Sequence, residues 1–349
     1  MYKFNKGEWA EIYVFLRSLS IGKFYIKDSS LSKKLNELEI ITLFKENFER
    51  TNEKRFSPKI INKGEYDKVA LKLFDIIKNN DKTTFEIIEL EKFSKENDFS
   101  LMKGSSYSKN DLDGVVKDFY NVLSPRLGYS IKSKISSTST LLNASLHTNF
   151  LYEVSGLSKE QVRIINSIKT KTKLKDRINK IKEFKGEILL KGATSDIFKA
   201  NLNYLDTGLE IILGTILLYF YNERLNSIVE LIDKLSIENP LSYNGKDKVD
   251  FYKNKIIRFL KAITFEMMPS KDIVETKKFL PGGILLVNSL GEIDLLDERY
   301  YPEELSMYLY KNLKLESPSS TRYHMLELKS TEEESEKYNF TLNLQIRFI

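Results

Sequence analysis

Three aspartates, Asp111, Asp113 and Asp118, precede Ser130, Lys132 and Lys134 across a short turn in the run DLDGVVKDFYNVLSPRLGYSIKSK. Phosphodiester hydrolysis with a divalent ion needs carboxylates to hold the ion. It also needs a cation to place the attacking water and to offset charge at phosphorus. One solution puts an aspartate on one strand and an acidic-x-lysine pair on its antiparallel neighbour. Strand alternation explains the spacing, because residues two apart face the same side. Ser130 and Lys132 therefore share a face, and Asp111 shares one with Asp113. With Asp111 opposite Ser130, the hairpin centre falls near Tyr120 and Asn121, where the turn begins. A shifted register favours Asp113 or Asp118 instead. An ordinary hairpin with solvated charges would carry the same residues, and Ser130 stands where an acidic residue is usual. Ser130 offers only a neutral oxygen or a hold on a metal-bound water. A further carboxylate must compensate, and Glu11 or Glu8 near the start is the natural source.

Periodicity outlines the elements that must position these groups. Residues 1–105 read as mainly helical. Asn5 and Glu8 form a capping box, and Trp9, Ile12, Tyr13, Leu16 and Leu19 make the core face of a first helix. IGKFYIK reads as extended, LSKKLNELEIITLFKENFER as a second helix, residues 66–79 as a third, and FEIIELEKFSKEND fits helix or strand. SLMKGSSYSKN is a loop that delivers the chain into the hairpin. The run ISSTSTLLNASLHTNFLYEVSGL is rich in hydroxyls and amides. It can donate to phosphates or bases without adding charge, or it can be a satisfied loop. Residues 157–184 read as basic and helical, and the run GEILLKGATSDIFKANLNYLDTGLEIILGTILLYFYNERL as a polar loop followed by a buried helix at residues 211–221. A further helix covers residues 248–267, and PGGILLVNSLGEIDLLDE reads as two strands around the turn NSLGE. A Pro-started helix, PEELSMYLYKNLKLE, then leads to the turn SPSSTRYH. The strand candidates HMLELKS and YNFTLNLQIRFI close the chain, with TEEESE at a hairpin tip. These elements group into a mainly helical part (1–105), a catalytic hairpin core with a basic helical region (106–235) and a C-terminal α/β region (236–349).

Composition narrows the chemistry. The 349 residues include no cysteine, and His147 and His324 are the only histidines. Thiolate and histidine-rich zinc sites are excluded, so any metal is held by oxygen, as magnesium is. The start lacks an apolar signal core behind a basic head, and the longest apolar run is too short to span a bilayer, so a cytoplasmic protein is expected. The net charge is +6, and residues 169–185 alone hold eight basic and two acidic side chains. That segment, with Lys171 and Lys173, suits phosphate contacts, although a solvated helix face has the same composition. Asn143, Asn149, Arg322, Gln345 and Arg347 carry the donors and acceptors that base readout needs, and Lys134 and Ser139 lie next to the hairpin. A plain core strand would equally explain LNLQIRF, and His147 suits a hydrogen-bonding loop position better than a general base.

The segment LGYSIKSKISSTSTLLNASLHTNFLYEVSG resembles the HpaII-type type II restriction endonucleases. The resemblance rests on residues 127–133 (LGYSIKS), on Leu141, Leu142, Asn143, Ala144 and Ser145, and on Thr148, Asn149, Phe150, Tyr152 and Glu153. It extends to Lys6, Gly7, Trp9, Glu11 and Tyr13 near the start, and to the run DIFKANLNYLDTGLEIILGTILLYFY with Asp206. It ends with Asn312, Leu315, Glu316, Pro318, Ser319, Arg322 and the closing LNLQIRF. It spans nearly the full length in the same order, and it is poor around GEIDLLDERYYPEELSMYLY, a place for sequence recognition. The resemblance implies a restriction-endonuclease-like, PD-(D/E)XK mixed sheet flanked by helices. It also implies Mg²⁺-dependent cleavage of double-stranded DNA leaving a 5′-phosphate, and CCGG as the site. Its Asp-Ile strand start, matched by Asp111–Leu112, favours Asp111. The implied centre is Asp111, Ser130 and Lys132, with Asp111 and Glu11 on the metal. A homodimer on DNA and a methyltransferase of the same specificity follow from cutting a palindrome in a host that must be protected. The alternatives are a DNA-binding protein with a degenerate centre and a helical interaction protein.

Overall fold

Asn5 ends a short strand and starts a helix. Its side chain accepts from Glu8 N–H at 3.0 Å while the Glu8 carboxylate accepts from Asn5 N–H at 2.8 Å. The computed structural model describes residues 2–102, 109–135, 139–275, 279–330 and 337–349. Most of the loop before the hairpin, Ser136, Ser137, Thr138 and the TEEESE tip lie outside the described residues.

The elements run β1 (Lys3–Asn5), α1 (Lys6–Ile21), β2 (Lys23–Lys27), β3 (Lys34–Glu46), β4 (Glu53–Phe56), α2 (Lys63–Asn79), β5 (Thr84–Glu86), α3 (Ile88–Glu96), β6 (Leu112–Lys117) and β7 (Leu127–Ser133). Then follow β8 (Thr140–Leu142), β9 (Asn149–Ser155), α4 (Lys159–Ser167), α5 (Lys173–Glu183), β10 (Glu187–Ala193), α6 (Asp196–Leu205), α7 (Leu209–Glu223), α8 (Ile228–Glu238) and α9 (Lys248–Phe265). The chain closes with β11 (Leu280–Val287), β12 (Ile293–Asp297), α10 (Pro302–Asn312), β13 (Leu313–Leu315), β14 (Lys329–Ser330), β15 (Tyr338–Asn343) and β16 (Ile346–Phe348). It divides into two compact units. One comprises Met1–Ser139, Thr264–Glu266 and Thr276–Tyr308, the other Thr140–Ile263, Met267–Glu275 and Leu309–Ile349. Neither break of the three-part reading, after 105 or after 235, coincides with a passage between units.

The first unit is built on a seven-stranded sheet ordered β2-β12-β11-β7-β6-β3-β4, and β2 also pairs with β3, so the pairing circuit closes on itself. β7 lies inside it, antiparallel to β6 and parallel to β11. Residues 127–131 are all buried, as expected of a strand with neighbours on both edges and layers on both faces. Tyr129 and Ile131 share one apolar core with Trp9, Tyr13, Phe15 and Leu16 of α1. Burial of such side chains is worth about 1.5–3 kcal/mol each. Trp9 satisfies its indole N–H on the Phe85 carbonyl at 3.2 Å.

The second unit holds a four-stranded sheet, β10-β9-β15-β14, and a three-stranded sheet, β13-β16-β8, with helices around them. Among the described residues, no single helix is long and apolar enough to cross a membrane.

The fold is mixed α and β, and several local expectations change. The first 105 residues are not mainly helical, because five strands interleave with α1, α2 and α3 among the described residues. The expected second helix is β3. Its run Ile40–Ile41–Thr42 is β-branched, and pairing with β2, β6 and β4 satisfies an extended backbone. The hydroxyl-rich run after the hairpin contains β8 and β9, and β9 lies inside its sheet between β10 and β15. The stretch before the buried helix, expected to contain a polar loop, begins with strand β10, an edge strand whose outward Leu189 is exposed. HMLELKS contributes only Lys329 and Ser330 to a strand. The helices expected at 66–79 and 248–267 and the β11–β12 hairpin form where the periodicity places them, whereas the basic stretch 157–184 breaks into α4 and α5 and the end of the Pro-started helix becomes β13.

Candidate active site

Strand register sets the geometry. Leu112 pairs with Tyr129 and Asp113 with Gly128, so the next position outward sets Asp111 against Ser130. Asp111 N–H donates to the Tyr129 carbonyl at 3.0 Å. Its Oδ2 accepts from Ile131 N–H at 2.8 Å and lies 3.4 Å from Ser130 Oγ. Ser130 is buried, and the half-buried Lys132 follows it on the same face. Parallel pairing sets Ser130 beside Ile284 and Lys132 beside Leu286, which backs this face with apolar side chains. A Cβ at Gly128 would fall 1.9 Å from the Asn110 side chain, which would have to move aside.

The other two aspartates of the hairpin have different surroundings. Asp113 binds Arg126, whose guanidinium also grips Glu53 and lies 3.9 Å from the centre of the Phe44 ring. Asp118 shapes the turn, accepting from Tyr120 N–H at 2.9 Å and Val122 N–H at 2.8 Å, and its other oxygen accepts from the Tyr300 hydroxyl. Burial works to raise the Asp118 pKa, but donation from Tyr300, Val122 and Tyr120 outweighs it and holds the carboxyl below its ordinary value. Tyr129, wholly buried behind Ser130, has its pKa raised by that burial.

Glu8 is engaged in the α1 capping box. Glu11 shares a side of α1 with Phe15, which packs on Phe56 and Phe99 at ring separations of 5.3 and 5.4 Å. The apolar side of α1 belongs to the core behind Tyr129 and Ile131, so the helix lies on the sheet face opposite Ser130 and Lys132. The structure thus brings Asp111, Ser130 and Lys132 together, with Glu11 on α1.

The DNA-contact candidates separate clearly. Ser139 Oγ accepts from Ser133 N–H at 3.0 Å and donates to its carbonyl at 2.6 Å, closing the end of β7, and Lys134 N–H donates to the Val287 carbonyl at 2.7 Å. Asn149 is buried, its side-chain oxygen accepting from Asn343 Nδ2 at 2.7 Å, and Arg347 pairs with Glu316 at 2.6 Å. Gln345 is half-buried, its carbonyl taken by Glu316 N–H. His147 Nδ1 lies 3.2 Å from Ser195 Oγ. Asn143, Lys171 and Arg322 are exposed, and Lys173 is half-buried at the start of α5. Residue-by-residue reading of the sequence missed Arg126. Its partners Glu53 and Phe44 come from other strands, and no local spacing announces them.

Oxygen ligands alone are available to a metal. Among the described residues, no three of Asp, Glu and His come together as a cluster. Asp111 and the Ser130 hydroxyl still fit magnesium, which takes one or two carboxylates and completes its octahedron with waters and substrate phosphate.

The sheet sets an aspartate against a serine, with a lysine two residues further along the same face. The comparisons supply the class: the HpaII restriction endonuclease family model matches residues 5–348, so the chain belongs to that family. It is 31% identical over 361 residues to the type II restriction enzyme HpaII of Haemophilus parainfluenzae, covering 99% of this chain and 98% of that protein. It is a type II restriction endonuclease, an enzyme that hydrolyses DNA at specific sites. No solved structure matches it.

Proposed function

We propose that the chain cuts double-stranded DNA at CCGG in a Mg²⁺-dependent reaction centred on Asp111, Ser130 and Lys132, on a PD-(D/E)XK-type core. The observation that carries this reading is the convergence of Ile131 N–H and Ser130 Oγ on Asp111 Oδ2, with Lys132 on the same face. The Ile131 amide fixes the Asp111 carboxylate, which supplies the charged metal ligand, and Ser130 contributes a neutral oxygen beside it. Mg²⁺, when bound, supplies a Lewis acid that polarises the phosphate and acidifies a water. Lys132 holds the attacking water and offsets the charge that develops on the phosphoryl oxygens. Glu11 completes the set only if its side chain reaches round the end of the sheet. The CCGG site is the one the family resemblance implies, and two copies acting on the two strands of a palindrome account for double-strand cutting. A methyltransferase of the same specificity would protect the host in the cytoplasm.

Supercoiled plasmid with mapped CCGG sites tests the reading. Linear fragments should appear with Mg²⁺, end at CCGG and vanish with a chelator. Lys132→Ala should slow cleavage by at least about 10²-fold while gel-shift affinity stays close to the parent. Cutting at the parent rate by that variant would refute the assignment, and fragments ending elsewhere would refute the CCGG site alone.

A further inference from the structure

Arg177 is buried in α5, and its guanidinium bonds three backbone carbonyls. Nη1 donates to Leu326 at 2.8 Å, and Nη2 to Asn166 at 2.7 Å and Ile168 at 3.1 Å. Asn166, in α4, adds a reciprocal pair: Nδ2 donates to the Leu328 carbonyl at 2.9 Å and Oδ1 accepts from Leu328 N–H at 3.0 Å. These bonds join the α4–α5 loop to the turn 319–328, far away in sequence.

Each joined segment turns its cations outward. The Thr170 and Thr172 hydroxyls both donate to Asp176, Thr172 at 2.9 Å, so the loop is braced at even positions while Lys169 and Lys171 are exposed. In the partner turn, Tyr323 and Met325 point inward and Arg322 is exposed. Left-handed backbone at His324 and Leu326 keeps that turn tightly wound. Tyr323 Oη donates to the Ala144 carbonyl at 2.9 Å, which brings the exposed Asn143 to the same turn. Among the described residues, Lys169, Lys171, Lys173 and Arg322 form no ion pair. On the same two helices, Arg163 and Lys180 pair with Glu160 and Glu183. A cationic surface held from behind, whose Lys169, Lys171, Lys173 and Arg322 form no ion pair among the described residues although Asp176 and Glu327 lie on the same two segments, is complementary to a polyanion.

We propose that this stitched surface is a docking platform for the phosphate backbone of duplex DNA. Lys169, Lys171, Lys173 and Arg322 contact phosphates, Asn143 sits at its margin, and Arg177 is the residue that positions it. The proposal rests on the reading of the chain as a DNA-cutting enzyme and adds where the backbone binds.

The test is the salt dependence of binding to a short fluorescein-labelled duplex, measured without divalent metal on the full chain. Each lost phosphate contact lowers the slope of log affinity against log salt by about 0.9. Lys169→Gln with Lys171→Gln should therefore lower the slope by about 1.8, and Arg322→Gln by about 0.9. All three sites are exposed, so melting temperatures should stay at the parent value. Arg177→Met should lower the slope although it touches no phosphate, and Arg177→Lys should restore part of it. If Arg177→Met does not fold, the exposed variants still decide. Slopes equal to the parent in both exposed variants would overturn the platform. If the parent still cuts plasmid at discrete sites in that case, the nuclease reading stands without it. A parent chain showing neither cutting nor salt-dependent binding would sink both.

Discussion

Asp111, Asp113 and Asp118 carry the same functional group along one short run, and their surroundings give each a different role. Asp111 meets Ser130 and the Ile131 amide, Asp113 meets Arg126, and Asp118 holds the turn. Asp111→Asn should reduce the cleavage rate by about 10²–10³. Asp113→Asn should cost less than about tenfold in rate, since it acts through stability. Single-turnover rates at saturating enzyme separate the two, and an equal loss in both would show that the assignment among the aspartates is wrong. Asp118 yields a pH prediction. Its folded pKa lies below the unfolded value of about 3.9, so its stabilisation is present above that value and is lost as pH falls through the folded one. Asp118→Asn should flatten the acid limb of the stability curve below about pH 4. Parallel acid limbs for variant and parent in urea unfolding would contradict this. Tyr300, its partner, is pushed up to about 12, chiefly by burial and then by Asp118. Its share of stability is present below the ordinary tyrosine value of about 10 and falls away as pH rises towards 12. At this scale the sequence was readable where alternation governs, as in the pairing of Asp111 with Ser130. It was silent on Arg126, whose role depends on Glu53 and Phe44 from strands that only folding brings near.

At the scale of elements, the hairpin depends on what lies on either edge. Arg126 ties β6 to β4 through Asp113 and Glu53 and stacks on Phe44 of β3. Arg126→Met keeps the side-chain length and removes these ties. It should destabilise the fold by about 2 kcal/mol, the scale of hydrogen bonds to charged groups in a partly buried site. Chemical denaturation measures the loss, and a change under about 0.5 kcal/mol would mean the pairs are surface decoration. The legibility of elements follows the same physics. α1 was plain, because a capping box and a strong apolar stripe are local signals. β3 was not, because leucines spaced three apart mimic a helix and the strands that pair with it are distant in sequence. β9 was hidden for a related reason. Its flanking hydroxyls and amides suggest a loop until Asn343 satisfies Asn149 from the far end of the chain.

The whole molecule is assembled from interleaved segments. The first unit contains Met1–Ser139 but takes its β11–β12 hairpin from Thr276–Tyr308. A chain truncated after Ser139 would leave β7 with an open, apolar edge along LGYSIKS. Such a fragment should be insoluble or lack cooperative unfolding, and supplying residues 276–308 in trans should improve its solubility. A soluble 1–139 fragment with a sharp thermal transition would show that β11 is dispensable to the core. The sequence identified the β11–β12 hairpin by its turn, but not its destination. The parallel slot beside β7 has no local mark.

That interleaving also sets a timetable. On the ribosome, β7 emerges long before β11, with most of the second unit made between them. At about 5–20 residues per second the interval is roughly seven to thirty seconds. Throughout it, the strand bearing Ser130 and Lys132 lacks its parallel neighbour β11. A chain halted before residue 280 should therefore lack cleavage activity, and a plasmid assay on stalled or truncated chains measures it.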